Sequence, residues 1–218
     1  MSIAEHQIQT TRTARYYSIG SFDSETNELW YVLHGYGQRA EDFIKNFLPI
    51  ANENTLIIAP EALSRFYTKG FAGDVGASWM TREDRMSEIQ DYIRYLDNLF
   101  TEIRFMTKNP PKKIIALGFS QGCPALLRWQ AEGNSPVNEI VVWSGDVPRD
   151  LAFAKFRSNT ENSRKWLVNS KTDEFITSKI YSESQELFLS NSILFETMNF
   201  EGGHRIPDSA LKELRGKF

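Results

Sequence analysis

Lys113-Ile114-Ile115-Ala116-Leu117-Gly118-Phe119-Ser120-Gln121-Gly122-Cys123-Pro124 is the stretch on which the fold turns. Residues 113–117 form an apolar run of strand length. Residues 124–131 have helical character, with Pro124 in the first turn, where its missing N–H has no helical partner to lose. The same alternation continues outward in both directions. Short apolar runs recur at 29–33, 55–58, 139–142, 165–168 and 193–197, most of them rich in Val, Ile or Leu. Unbroken runs of this kind predict strands buried on both faces. Between them, 82–107 carries Ile89, Ile93, Leu96 and Phe100 at helical spacing, and 178–190 and 208–215 read as further helices, the last opened by Pro207-Asp208. Strands alternating with helices predict an α/β fold with a mainly parallel sheet covered on both faces, and 15–19 is expected as an antiparallel edge strand. Neither repeat nor linker divides the chain, so residues 1–218 are expected to form a single domain.

With 41% hydrophobic and 24% charged residues, the chain has the composition of a protein that buries a sizeable core. A net charge of −3 provides no broad cationic surface for phosphates, so nucleic acid is not an expected partner. Cys123 is the only cysteine, which rules out an internal disulfide and suits a small buried side chain better than a reactive one. The first twenty residues lack the apolar core of a secretory signal, and no apolar run approaches the roughly 18 residues of a membrane span. The expectation is a cytoplasmic protein without membrane insertion.

Gly118-Phe119-Ser120-Gln121-Gly122 sits between a strand and a helix, the setting of a nucleophile elbow. In such a strained turn, glycines two residues either side of the serine leave room that a Cβ would fill, and the serine hydroxyl is pushed out above the sheet. The alternative is an ordinary flexible turn. An elbow serine needs a base that follows it in the order Ser, Asp or Glu, His. Of three histidines, His6 and His34 precede the serine, so His204, on a Gly-Gly-His loop before the last helix, is the candidate. Asp173, after the run 165–168, is favoured to orient the imidazole; Glu174 is the fallback, and Asp146 and Asp150 lie one crossover too early, as loop caps or substrate contacts. Two backbone N–H groups must hold a developing oxyanion. Gln121, directly after the serine, is one candidate and Tyr36, in His34-Gly35-Tyr36-Gly37 after the run 29–33, is the other. His34 reads as a brace for that loop, which without an elbow would be only a glycine-rich turn.

These residues resemble the carboxylesterase, phospholipase and acyl-protein thioesterase family of small α/β-hydrolases nearly end to end. The resemblance rests on His34-Gly35-Tyr36-Gly37-Gln38, Ala59-Pro60-Glu61-Ala62, Ser78-Trp79-Met80, the elbow, Asp173 and Gly203-His204, all in family order. It implies an α/β-hydrolase fold, a triad of Ser120, Asp173 and His204, oxyanion N–H groups from Tyr36 and Gln121, and Trp79 near the acyl pocket. Gln38 departs from the Asp that thioesterase-like members carry, and residues 65–76 match poorly. That segment and its surroundings hold Phe66, Tyr67, Phe71 and Trp79; Phe71 and Trp79 are the expected substrate contacts, with core packing or a short lid as the other readings. No metal-ligand spacing or phosphate-binding glycine pattern occurs, so no cofactor and no metal are expected. The expected activity is that of a serine carboxylesterase acting on small to medium carboxylic esters through an acyl-enzyme on Ser120. A thioesterase or lysophospholipase, and a catalytically silent binding scaffold, are the alternatives. The expected partner is a small-molecule ester, with a second copy of the chain as a further candidate.

Overall fold

The computed structural model describes residues 2–22 and 26–218. Its strands are β1 (Tyr16–Ile19), β2 (Glu28–Leu33), β3 (Thr55–Pro60), β4 (Ser64–Lys69), β5 (Ala72–Ser78), β6 (Lys113–Phe119), β7 (Glu139–Trp143), β8 (Arg164–Ser170) and β9 (Glu196–Phe200). Its helices are α1 (Ala40–Phe43), which runs into a 3₁₀ turn over Ile44–Ile50, α2 (Arg85–Met106), α3 (Gly122–Glu132), α4 (Phe153–Asn159), α5 (Ser178–Ser190) and α6 (Asp208–Arg215). Seven strands form one sheet in the order β1-β3-β2-β6-β7-β8-β9, parallel throughout except for β1 against β3.

Period-two alternation divides the apolar runs between the two faces. Leu29, Tyr31 and Leu33 of β2 join Ile114, Ala116, Ile140, Val142 and Leu167 under α2, α3, α4 and α5. Trp30 and Val32 face the other way, with Ile115, Leu117, Val141, Trp143 and Trp166, under α1, the 3₁₀ turn and α6. All five tryptophans bury their rings and still find an acceptor for the indole N–H, which removes the cost of burying that donor. Trp30 donates to Glu28, Trp79 to the His34 carbonyl, Trp129 to Asp97, Trp143 to the Arg205 carbonyl and Trp166 to Glu139.

The helical segments at 40–50 and 153–159 lie outside the helices expected from the sequence, and two further stretches differ from that expectation. The last strand is Glu196–Phe200 rather than 193–197, because Ile193 closes α5 instead of extending the sheet. Ser192 adopts φ +56°, its N–H bonds to Leu189 O at 3.0 Å, and the Ile193 N–H reaches back to Phe188 O at 2.9 Å. This is the six-to-one and five-to-two pattern of a helix C-cap, and Ile193 and Phe188 are buried in the same core cluster. The second difference is that residues 64–78 form an antiparallel hairpin, β4–β5, outside the main sheet.

Glu61, just after β3, ties these parts together. Its side chain is 1% exposed, and one carboxylate oxygen accepts from Arg15 at 2.6 Å and Arg65 at 2.8 Å. The other oxygen accepts from the Ala40 N–H at the start of α1 at 3.3 Å. Burial alone raises the Glu61 pKa, but the two guanidinium partners outweigh it and hold the carboxyl below its ordinary value. A lowered folded-state pKa adds stability above the unfolded pKa, and that stability disappears as pH falls through the folded value. Glu61→Gln should therefore lower unfolding free energy by about 1–3 kcal/mol at neutral pH. Urea titrations at falling pH should show the difference from the native protein shrinking below the ordinary carboxylate range.

Candidate active site

The turn from β6 into α3 forces the local geometry. Ser120 has φ +52°, the left-handed region that costs a non-glycine residue energy. Its N–H bonds to Trp143 O at 3.0 Å and its carbonyl accepts from Cys123 N at 2.9 Å, so neighbouring backbone holds the strained conformation. The flanking glycines are required by close approach. A Cβ on Gly122 would lie 2.8 Å from the Leu33 carbonyl carbon and 2.9 Å from His34 O, and one on Gly118 would lie 2.8 Å from Cys123 Cα. Cys123 itself is fully buried, donates to Gly118 O at 2.9 Å, and has its thiol pushed well above the usual range by burial.

Asp173 and His204 come from the loops after β8 and β9. The Asp173 carboxylate is fully buried as a side chain and accepts from Phe175 N at 2.9 Å and Ile176 N at 2.8 Å. His204 Nδ1 lies 3.0 and 2.9 Å from its two oxygens. Burial raises the Asp173 pKa, but the Ile176 N–H, His204 and the Phe175 N–H together bring it below the ordinary value. An ionised carboxylate at Nδ1 requires the proton on that nitrogen, which leaves Nε2 as the lone-pair side of a neutral ring. The two loops are joined directly: the Gly203 N–H donates to Ser170 Oγ at 3.0 Å and Thr172 Oγ1 at 3.2 Å. The His204 ring packs 4.8 Å from that of Phe119, the residue before Ser120, and 4.9 Å from that of Phe175. Ser120, Asp173 and His204 thus gather at the C-terminal edge of the parallel strands.

The loop after β2 approaches from the other side of the elbow. Burial pushes the His34 pKa down, and its neutral ring accepts the Ala62 N–H on Nε2 at 3.1 Å while Nδ1 donates to Gly35 O at 2.7 Å. Gln38 Oε1 accepts the Gly35 N–H at 2.7 Å. A Cβ on Gly35 would stand 3.2 Å from Ser120 Cβ, so this loop abuts the elbow. Tyr36 is 62% exposed and stacks on Phe66 of β4, with ring centres 5.1 Å apart. The Gly37 N–H bonds to Ala77 O at 2.9 Å, which fastens the hairpin to the same loop.

Of the expected substrate contacts, Trp79 is 2% exposed and lies beneath the elbow, whereas Phe71 is fully exposed at the hairpin tip. Asp150 is paired with Arg85 and Arg128, each at 2.6 Å, and lies away from His204. Glu174 approaches Gly203, and no hydrogen bond joins it to the imidazole among the described residues. Two residues gain roles that the sequence did not reveal. The Gln121 side chain accepts the Trp79 N–H at 3.1 Å and donates to Met80 O at 3.0 Å, which locks the end of β5 to the elbow. Ser144, fully buried at φ +47°, turns its hydroxyl toward Asp173, with no hydrogen bond of ordinary geometry to any partner among the described residues. Their signal was weak: a glutamine after an elbow serine invites attention to its N–H, and Ser144-Gly145 reads as a turn. Among the described residues no group of His, Cys, Asp and Glu is arranged to hold a metal ion, and no helix is long and apolar enough to cross a membrane.

Similarity to known proteins bears on the fold and the family. No curated protein matches the sequence. Among solved structures, esterase PE8 is 21% identical and superposes with a TM-score of 0.70, covering 94% of this chain and 98% of its own. Acyl-protein thioesterase 2 of Zea mays is 20% identical at a TM-score of 0.68, covering 94% of this chain and 97% of its own. The carboxylesterase of Bacillus cereus is 14% identical at 0.66, with 94% of each chain covered. At these identities the likeness carries the fold, which is that of the α/β-hydrolases. The sequence model of the phospholipase/carboxylesterase family matches residues 15–216, and the chain, with its parallel sheet and strand-to-helix elbow, belongs to that family.

Proposed function

We propose that the protein is a serine carboxylesterase that hydrolyses small to medium carboxylic esters, with residues 1–218 acting as one catalytic domain. The observation that carries this reading is the Asp173–His204 pair, closed at 2.9 and 3.0 Å, next to an elbow that holds Ser120 in a left-handed conformation. In the proposed mechanism Ser120 Oγ attacks the ester carbonyl carbon while His204 Nε2 takes its proton. The carbonyl π pair moves onto oxygen, where the N–H groups of Gln121 and Tyr36 stabilise it. Collapse expels the alcohol, protonated by the His204 imidazolium, and leaves an acyl ester on Ser120. Water, deprotonated by His204, then attacks that ester, and the acid departs as Ser120 recovers its proton. Asp173 stays ionised throughout, keeps the ring in one tautomer and stabilises the imidazolium.

Support for the oxyanion assignment comes from the bracing around both donors. Gln38 and His34 fix the loop that carries Tyr36, and the first turn of α3 presents the Gln121 N–H with the positive end of the helix dipole behind it. Trp79 supports the loop from below through its bond to His34 O, and Phe71 offers apolar surface to a substrate arriving over the hairpin.

Hydrolysis of p-nitrophenyl esters of increasing acyl length tests the reading. The native protein should turn over short and medium esters, and Ser120→Ala should lose about 10⁶-fold in kcat, down to background. Equal rates for the two proteins, or no hydrolysis by either, would overturn the proposal. Fluorophosphonate labelling should likewise disappear in Ser120→Ala. Asp173→Asn preserves shape but favours the wrong imidazole tautomer, so kcat should fall about 10⁴-fold with KM changed far less. A fall of under tenfold would remove Asp173 from the triad.

A further inference from the structure

Beside the elbow lies a cleft of about 580 Å³, bordered by Gln121 and lined by Met80, Pro124, Pro148, Arg85 and Arg128 among others. From it we infer the substrate class: the acyl portion of the ester is a short chain that ends in a carboxylate. The inference rests on the esterase reading above. The leaving alcohol must face His204, which protonates it, and neither His204 nor Phe175 lines this cleft. The cleft borders Gln121, a proposed oxyanion donor, so it opens on the side of the carbonyl remote from the leaving group, where the acyl chain extends.

Its walls combine two chemistries. Met80, Pro124 and Pro148 provide apolar surface for methylenes. Arg128 provides a cation whose side chain is only 4% exposed. Its Nη2 donates to Asp150 at 2.6 Å, while its Nη1 has Pro124 O at 3.5 Å and Met80 Sδ at 3.7 Å, both poor partners for a buried guanidinium, and the guanidinium stands near the buried Tyr92 hydroxyl without a hydrogen bond of ordinary geometry to it among the described residues. Arg85 shares the same Asp150, so two guanidinium groups stand against one carboxylate there. Asp150, its pKa held near 2 chiefly by Arg85, is ionised at working pH and is shared between the two guanidinium groups. Arg149 is turned to Glu183 and takes no part. Asp146 is the second carboxylate of the cleft, but it is exposed to solvent at the edge, whereas the Arg128 guanidinium is buried.

Distance sets the chain length. The contact of Nη1 with Pro124 O shows that Arg128 points back toward the helix start, as long helical side chains do. The guanidinium therefore lies about 5 Å along the α3 axis from Gln121. A dicarboxylic half-ester of succinate-to-adipate length spans that gap, and a long unbranched fatty acyl chain meets charge where it needs hydrocarbon.

The experiment compares monoethyl succinate, glutarate and adipate with ethyl butyrate, pentanoate and hexanoate, following acid release by pH-stat. At matched chain length the native protein should prefer the carboxylated ester by about tenfold or more in kcat/KM. Arg128→Met, with the milder Arg85→Gln beside it, should cut this ratio at least tenfold, whereas Asp146→Asn should raise it. Free glutarate should increase the melting temperature of the native protein more than butyrate does, and Arg128→Met should abolish the difference. Neutral esters preferred by the native protein, or a ratio indifferent to Arg85 and Arg128, would overturn the inference and leave the esterase reading standing. Were no ester hydrolysed at all, the esterase reading would fail, and glutarate stabilisation through Arg128 would still decide whether the cleft binds carboxylates.

Discussion

The first turn of α3 runs so close to the end of β2 that no side-chain carbon fits between them. Gly122 lies against the carbonyls of Leu33 and His34, a contact that one methyl group would break. That single approach fixes the relation between the elbow and the loop carrying Tyr36, which are far apart in sequence. It also directs the N-terminus of α3 toward the space above Ser120, where a partial positive charge and an N–H group are both available to an anion. The backbone strain at Ser120 persists because the bonds to Trp143 O and from Cys123 N hold it from both sides.

Charge is distributed around this constraint with clear separation of protonation states. Asp173 gives up hydration and recovers it from two backbone N–H groups and the imidazole, so it remains anionic in a buried position. His34 experiences burial without a carboxylate in contact and stays neutral, its two nitrogens divided between a donor and an acceptor role. The Cys123 thiol, also buried, stays protonated. The Asp173 carboxylate therefore faces His204, and the buried Cys123 thiol does not compete with Ser120, the proposed nucleophile.

The strands buried on both faces were legible because a parallel strand under two layers of helix has no polar side, and the long α2 because its apolar residues keep one period over many turns. The β4–β5 hairpin was illegible for the opposite reason. Most of its residues are exposed, its turn is Gly70-Phe71, and its inner end is held by backbone bonds to Gly37 and Gln38 rather than by an apolar pattern. Residues 193–197 misled because Ile193 is apolar in order to cap α5. At the candidate site, chain order pointed to Ser120 and His204 and favoured Asp173, since an elbow limits where its partners occur. The side-chain work of Gln121 and the buried Ser144 hydroxyl stayed hidden, because both depend on neighbours brought from distant strands.

Gln38 illustrates how a departure from a family pattern can keep the geometry and change the field. The loop needs an acceptor for the Gly35 N–H, and Gln38 Oε1 supplies it at 2.7 Å. An aspartate would accept the same bond more strongly, since charge-assisted hydrogen bonds are about twice as strong as neutral ones. It would also put a full negative charge one residue from the Tyr36 N–H, in the region where the proposed reaction develops an oxyanion. The amide braces the loop through a dipole and leaves the electrostatic contribution there to the backbone N–H groups and the end of α3. Glu61, a buried carboxylate whose oxygen also reaches the start of α1, is paired with Arg15 and Arg65, so its charge is balanced where it stands.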